Sequence, residues 1–97
     1  MKTLTLLASG LASWFTPYQP QYQGGWFCAM PDKHLIGHRV RIVAGKRHQS
    51  CAVIGTGPFV SGRVIDVSPL VRDDLRMYDA GVISVRVYDL GIPQKHR

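Results

Sequence analysis

The sequence predicts an all-β protein, with about six strands and one short helix that close into a single barrel. Three observations support this prediction. Apolar and polar residues alternate with a period of two in several short segments, which is typical of half-buried strands. Turn residues, mainly Gly, Pro and Ser, separate these segments. A chain of 97 residues with this many strands usually removes exposed sheet edges by closing the sheet on itself.

The first strand is predicted over residues 3–16, either as one bent strand or as two consecutive strands. Leu4 and Leu6 alternate with threonines, and Ser9-Gly10 is a plausible position for a β-bulge. The same segment also resembles a very short secretory signal. We favour the strand, because the alternation is regular and the apolar run is shorter than such signals usually are.

The middle of the chain predicts a loop, a hairpin and a buried strand, in that order. Residues 17–33 are rich in Pro, Gln, Gly and aromatic residues and are predicted to be an irregular loop. Residues 38–44 and 50–55 are predicted to pair as a hairpin around a basic turn at 45–49. A short apolar strand is predicted at 63–67, as the chain approaches its single helix.

The helix is predicted to begin at Ser68-Pro69 and to extend over roughly 69–77. Serine is a preferred N-cap acceptor, and proline is favoured at the first helical position. The long alternating segment 82–90 is the last predicted strand. Residues 92–97 are predicted to form a basic tail, so the whole chain is expected to be one domain.

The charge balance restricts both the chemistry and the partners. Twelve Lys and Arg residues stand against six acidic residues, which gives a net charge of +6. All six acidic residues are Asp, so a general acid or base must be Asp, His or Tyr. A basic protein favours anionic partners such as a cell-wall polymer, a nucleic acid or an acidic protein face, although a merely solvated surface has the same composition. No segment approaches the roughly 18 apolar residues of a membrane span.

The cysteines and histidines give no sign of a metal site. Cys28 and Cys51 allow one disulfide, which we favour, but two reduced and buried thiols of a cytosolic protein fit equally well. Neither cysteine belongs to a CxxC pair. His34 and His38 would align only on a helix, which Gly37 argues against. The sequence therefore implies neither a metal nor a cofactor.

The most informative stretch is residues 57–69, GPFVSGRVIDVSP. It places Asp66 inside an apolar strand just before the helix, where a charge is unfavourable unless it has partners or a function. Asp66 could accept backbone N–H bonds near the helix start and hold the loop together. Alternatively, it could be a catalytic acid or contact a substrate.

Six of the nine aromatic residues fall in one segment: Trp14, Phe15, Tyr18, Tyr22, Trp26 and Phe27. Aromatic faces can stack on sugar rings, and they are also enriched in protein interfaces. Some of them, Trp14 and Phe27 first, could instead belong to the core. The candidate residues for binding a glycan or a partner are Trp14, Tyr18, Tyr22, Trp26 and Arg63.

The order of these motifs resembles the double-psi β-barrel of rare lipoprotein A, a family related to the expansin N-terminal domain and the barwin-like proteins. The matching blocks are 12–15 (ASWF), 37–42 (GHRVRI), 57–68 and 81–87 (GVISVRV). The resemblance covers about residues 11–89. It implies that the barrel is a double-psi barrel and that its partner is a cell-wall polysaccharide.

The departures from that family concern its polar cleft. In rare lipoprotein A an Asp-Arg pair precedes the GPF turn, and its Asp is implicated in cleaving the glycan strands of peptidoglycan; here the pair is Gly55-Thr56. The family's histidine falls at about Pro31, and its glutamate has no counterpart. Asp66 is kept, and it matches an aspartate that expansins are thought to need for loosening the wall.

The resemblance thus implies a cell-wall-associated barrel that engages peptidoglycan or a related anionic polysaccharide, with lytic-transglycosylase-like ancestry and a degraded catalytic set. We lean against an enzyme; if the protein is active, Asp66 is the acid and the 6-hydroxyl of the substrate attacks. Burial between apolar neighbours would have to keep Asp66 protonated for that role.

A second hypothesis is a non-catalytic structural or interaction module, such as a small phage tail or virion component, whose partners are neighbouring proteins. The expected location is the cell envelope or the extracellular space, or a virion, while reduced cysteines would also fit the cytosol. The sequence argues against nucleic acid, since it has no recognition helix or paired surface aromatics of the RNP type.

Overall fold

The computed structural model describes residues 3–77 and 79–93. The strands are β1 Thr5–Trp14, β2 Phe27–Met30, β3 Arg39–Ala44, β4 Arg47–Thr56, β5 Arg63–Val67 and β6 Ile83–Gly91, and the helix is α1 Pro69–Asp74. Two short 3₁₀ turns lie at Pro20–Tyr22 and Lys33–Leu35. Among the described residues, no helix is long and apolar enough to cross a membrane.

The six strands form a closed barrel in the order β1-β5-β2-β4-β3-β6. The pairs β1–β5 and β2–β4 are parallel, and the other four pairs are antiparallel. Each parallel pair joins strands that are far apart in the sequence, so the chain crosses the barrel between them. The predicted six-stranded barrel with one short helix is confirmed.

The barrel interior is filled by one face of each strand. Its main buried residues are Ala12, Met30, Val40, Ile42, Val53, Ile65, Val67, Val85 and Val87. Helix α1 packs against β4 and adds Val71 to this core. Cys28 on β2 and Cys51 on β4 are fully buried and joined by a disulfide, with a Cα–Cα distance of 5.9 Å.

The prediction that residues 17–33 form an irregular loop is wrong in part, because β2 (Phe27–Met30) lies inside that segment. Three of its four residues are buried, and because consecutive residues point to opposite faces, both faces of the strand are covered. The strand therefore shows no alternation of apolar and polar residues. A four-residue strand without alternation is indistinguishable from a loop by sequence pattern.

The predicted bulge at Ser9-Gly10 is also wrong. Strand β1 continues through both residues, and its register shifts at Leu6/Ala8 against β6 and at Leu11/Ala12 against β5. Gly10 is needed for close approach instead: a Cβ there would lie 2.8 Å from the carbonyl oxygen of Gly62. Its absence of a side chain lets the β1 and β5 backbones meet.

The helix prediction is correct at its start and too long at its end. Pro69 is the first helical residue, but α1 ends at Asp74. Ser68 makes no side-chain cap bond. Its hydroxyl instead donates to the carbonyl of Gly25 at 2.7 Å and accepts from the N–H of Phe27 at 3.1 Å. Ser68 is fully buried, so these bonds satisfy its side chain while tying the loop before β2 to the helix.

Two further boundaries differ from the predictions. Strand β4 begins at Arg47, which leaves only residues 45–46 for the predicted basic turn. Of the predicted basic tail, residues 94–97 lie outside the described part of the chain.

Candidate functional site

A row of four residues crosses the outer surface of the barrel and contains Asp66. Ser13 on β1 is in register with Asp66 on β5, and Asp66 is in register with Ala29 on β2. Ala29 is in turn in register with Gly55 on β4. Because Ile65 and Val67 point into the core, the side chain of Asp66 between them points outward.

The carboxylate of Asp66 is half-buried and has one side-chain donor. The hydroxyl of Ser13 donates to Oδ1. No backbone N–H among residues 3–77 and 79–93 donates to this carboxylate. From the sequence we considered that Asp66 accepts hydrogen bonds from backbone N–H groups near the helix start. The described residues do not form these bonds. Its Oδ2 remains available to a ligand.

Asp66 lies in a cleft of about 270 Å³, which we call the Asp66 cleft. Phe15 and Tyr18 supply aromatic surface, and Gln19 and Thr56 supply polar groups. Within the described part of the chain, Asp66 is the one carboxylate that lines it. Tyr18 is 94% exposed, so its ring is free to meet a ligand.

Phe59 borders this site, and the sequence analysis did not single it out. A Cβ placed on Gly57 would lie 3.9 Å from the Phe59 ring and 4.0 Å from Oδ2 of Asp66, so both groups flank the same backbone. Gly57 has φ of +125°, which a residue with a side chain rarely adopts. Phe59 is 78% exposed. An aromatic residue directly after a Gly-Pro pair was the signal in the sequence.

The other candidate residues from the sequence lie apart from the Asp66 cleft. The guanidinium of Arg72 lies 4.3 Å from the centre of the Trp14 ring and covers one of its faces. Tyr22 packs edge-on against Phe27, with the ring centres 4.9 Å apart. Arg63 is the first residue of β5 and does not line the Asp66 cleft.

Trp26 lines a separate cleft of about 290 Å³, the Trp26 cleft. Its indole N–H donates to Oδ2 of Asp74 at 2.8 Å. Arg39, Gln49 and Ala52 also line this cleft. Of the four aromatic candidates, the structure therefore brings only Tyr18 together with Asp66.

Two histidines, His34 and His38, each pair with an aspartate. Nδ1 of His38 lies 3.0 Å from Oδ1 of Asp89, and the Gly91 N–H donates to the same oxygen. The bond to His38, and next the bond to Gly91, lower the pKa of Asp89. Asp32 likewise has a lowered pKa, mainly because the His34 N–H donates to it. Among the described residues, no three His, Cys, Asp or Glu side chains gather as metal ligands would.

Comparison with known proteins identifies the fold. No protein-family model and no curated protein sequence matches the chain. The solved structure of an expansin from Clavibacter michiganensis, without ligand, is similar with a TM-score of 0.74 and 14% identity over 90% of this chain. A mutant of the Clavibacter michiganensis expansin in complex with cellohexaose is similar with a TM-score of 0.71 and 14% identity over 91% of this chain.

These similarities concern one part of the expansin structures, because this chain covers 52% of each. At 14% identity they show the fold alone. The fold is the double-psi β-barrel of the expansins, as the sequence predicted.

Proposed function

We propose that this barrel binds a cell-wall polysaccharide, peptidoglycan or a related anionic glycan, in the Asp66 cleft. The observation that carries the proposal is the composition of that cleft. A single outward carboxylate stands beside aromatic faces and amide and hydroxyl groups on an accessible surface. Sugar rings offer C–H faces that stack on aromatic rings and hydroxyls that donate to carboxylates, so the two chemistries match.

Three residues would do most of this work. Tyr18 offers its exposed ring as a stacking platform. Asp66 offers Oδ2 to a sugar hydroxyl, while Ser13 holds Oδ1 and thereby fixes the orientation of the carboxylate. Gln19 lies in the same cleft and can both donate to and accept from hydroxyls.

Binding without efficient cleavage is the activity we propose. Glycosidases that hydrolyse their substrates use two carboxyl groups about 5–10 Å apart. Asp66 has no second carboxylate in its cleft among the described residues, and Gly55 stands two strands away in the same row. If the protein does cleave glycans, we propose that it is a lytic transglycosylase with Asp66 as its only acid. This alternative rests on the resemblance of the sequence to rare lipoprotein A.

An extracytoplasmic location fits this function. The disulfide between Cys28 and Cys51 joins neighbouring strands inside the core. Structural disulfides persist in the periplasm and outside the cell and are rare in the cytosol. One similar solved structure, of which this chain covers 52%, is an expansin mutant in complex with cellohexaose.

A second candidate function is a non-catalytic module that docks onto neighbouring proteins, as in a phage tail or virion. The observation that favours it is the apolar loop of Phe59 and Val60, which are 78% and 56% exposed. Adjacent exposed apolar side chains are typical of protein interfaces. A Val60→Ser variant would weaken assembly with a protein partner, whereas Asp66→Asn would leave that assembly unchanged.

A sedimentation assay on purified sacculi tests the proposed function. The protein is expected to co-sediment at low salt, and Asp66→Asn is expected to reduce the bound fraction several-fold. Asp79→Asn is the matched control, because it removes the same charge from an exposed turn outside the cleft. If the folded wild-type protein stays in solution at low and physiological salt, the proposed function is wrong.

The soluble products of the same assay test for catalysis. Release of anhydro-muropeptides by the wild-type protein and not by Asp66→Asn would establish the lytic transglycosylase form. Absence of products together with Asp66-dependent binding is the result that we expect.

A further inference from the structure

The Trp26 cleft and the Asp66 cleft lie on one continuous surface. Phe27 and Ala29 stand two residues apart on β2, and their register partners on the parallel strand β4 are Ala52 and Gly55, with a register shift between Cys28 and Ala29. Phe27 and Ala52 line the Trp26 cleft, whereas Ala29 and Ile54 line the Asp66 cleft. The β2 residues that line the two clefts are thus separated by the rise of two residues, about 7 Å.

The aromatic wall of the Trp26 cleft is held in place by β4 and α1. The Ala52 N–H donates to the carbonyl of Trp26 at 3.1 Å. Oδ2 of Asp74, the last residue of α1, accepts from the Trp26 indole at 2.8 Å and from Nε2 of Gln49 at 2.7 Å. Both the backbone and the ring of Trp26 are fixed, while 46% of the residue stays exposed.

The loop beneath this wall is fixed as well. Ser68 binds the carbonyl of Gly25 and the N–H of Phe27. The Phe27 ring lies so close over Gly25 that a Cβ on Gly25 would clash with it. A surface that is ordered before a ligand arrives loses little entropy on binding. The walls of the Trp26 cleft are therefore held in place by hydrogen bonds and packing before any ligand binds.

Arg39 supplies the charge of this cleft. It is exposed at the start of β3, where it stands opposite Ala52 of β4. Within residues 3–77 and 79–93, its guanidinium makes no ion pair or side-chain hydrogen bond. The carboxylate of Asp74 beside the cleft already accepts from Trp26 and Gln49. An unpaired guanidinium is suited to hold a planar carboxylate through two parallel N–H···O bonds.

We propose that the Trp26 cleft is a second sugar subsite, which takes a residue that carries a carboxylate. Trp26 stacks on the sugar ring, and Arg39 binds its carboxylate while the neighbouring sugars extend toward Asp66. This inference rests on the proposed function and names the class of polymer: an acidic glycan rather than a neutral one. It also gives the polymer a fixed path along the outer face of β2 and β4.

Affinity measurements with three soluble glycans test the subsite: polygalacturonate, its methyl ester and cellohexaose. Polygalacturonate is expected to bind about tenfold more tightly than its methyl ester, because only the acid can pair with Arg39. Arg39→Gln is expected to remove that preference: the affinity for polygalacturonate should fall about tenfold, and the affinity for the methyl ester should stay unchanged. Trp26→Ala is expected to weaken the binding of both polymers.

Arg86→Gln is the matched control. It removes the same charge from an exposed outward position on β6, away from both clefts. Equal losses of polygalacturonate affinity in Arg39→Gln and Arg86→Gln would mean that only the overall charge matters, and this would overturn the subsite. Equal affinity of the wild-type protein for the acid and the ester would overturn it too.

The two proposals fail in different ways. If polymers bind and Asp66→Asn weakens them while Arg39→Gln has no effect, the proposed function stands and the acidic subsite is wrong. If none of the three glycans, nor sacculi, binds to the folded protein, both proposals are wrong.

Discussion

Asp66 and Gly55 stand in the same row across the barrel, one on β5 and the other on β4, with Ala29 of β2 between them. Two strand spacings separate their backbones, about 10 Å. A Cβ on Gly55 would meet no atom within 4 Å, so this position opens into free space beside the Asp66 cleft.

Gly55→Asp is expected to fold normally and to weaken the binding of acidic glycans. The space is open and Gly55 does not have a positive φ, so the free energy of unfolding should change by less than about 1 kcal/mol. A second carboxylate in the row would repel an anionic polymer, and the affinity for that polymer should fall several-fold. Gly55→Asn is the matched control, because its side chain has the same shape without the charge. If it weakens polygalacturonate binding as much as Gly55→Asp does, repulsion is not the cause.

Ser68→Ala is expected to destabilise the protein by about 1–3 kcal/mol, because it leaves the partly buried carbonyl of Gly25 and N–H of Phe27 without their partner. Urea denaturation measures this change. Ser61→Ala, in the exposed turn before β5, should stay within about 0.5 kcal/mol of the wild-type protein. If the two variants were equally stable, the role assigned to Ser68 in fixing the loop before β2 would be refuted.

Asp89→Asn is expected to lower the free energy of unfolding by about 1 kcal/mol at neutral pH, because it weakens the pairing with His38. The folded-state pKa of Asp89 is lowered, first by its bond to His38 and next by its bond to Gly91. A carboxylate of this kind stabilises the fold above its unfolded pKa and loses that contribution as the pH falls through its folded pKa. The difference between the two proteins should therefore hold above about pH 5 and shrink below about pH 4. A difference that does not change with pH would contradict this account.

Removal of the Cys28–Cys51 disulfide is expected to lower the stability by about 3 kcal/mol, since it closes a loop with a sequence separation of 23. The comparison is between the wild-type protein and a Cys28→Ala/Cys51→Ala variant in urea. Mass spectrometry without reductant should show the loss of two hydrogens in the wild-type protein. A mass that corresponds to two free thiols would show that the cysteines are reduced.

Much of the barrel could be predicted from the sequence because most strands have one face in the core and one in solvent. Strand β3 alternates exposed and buried residues, and its limits agree with the prediction to within one residue at its start. Strand β2 could not be predicted, because three of its four residues are buried and its pairing partners are distant in sequence.

The candidate site was predicted only in part, for a related reason. Asp66 was identified because a charge stands out in an apolar strand. Trp26 and Arg39 line the same cleft because β4 pairs with both β2 and β3. Asp74 also bonds to both Trp26 and Gln49. No local sequence pattern records these long-range contacts. Trp14 has the composition of a stacking platform, but the position of Arg72 on the helix covers one of its faces.

The central claim is that a polysaccharide lies along the outer face of β2 and β4. Titration of the ¹⁵N-labelled protein with oligogalacturonate, followed by amide chemical shifts, tests it most directly. The account predicts that the largest shifts fall at Ala29, Gly55 and Asp66 and extend to Trp26 and Arg39. Shifts confined to residues 40–44 and to β6, or no shifts at millimolar ligand, would contradict it.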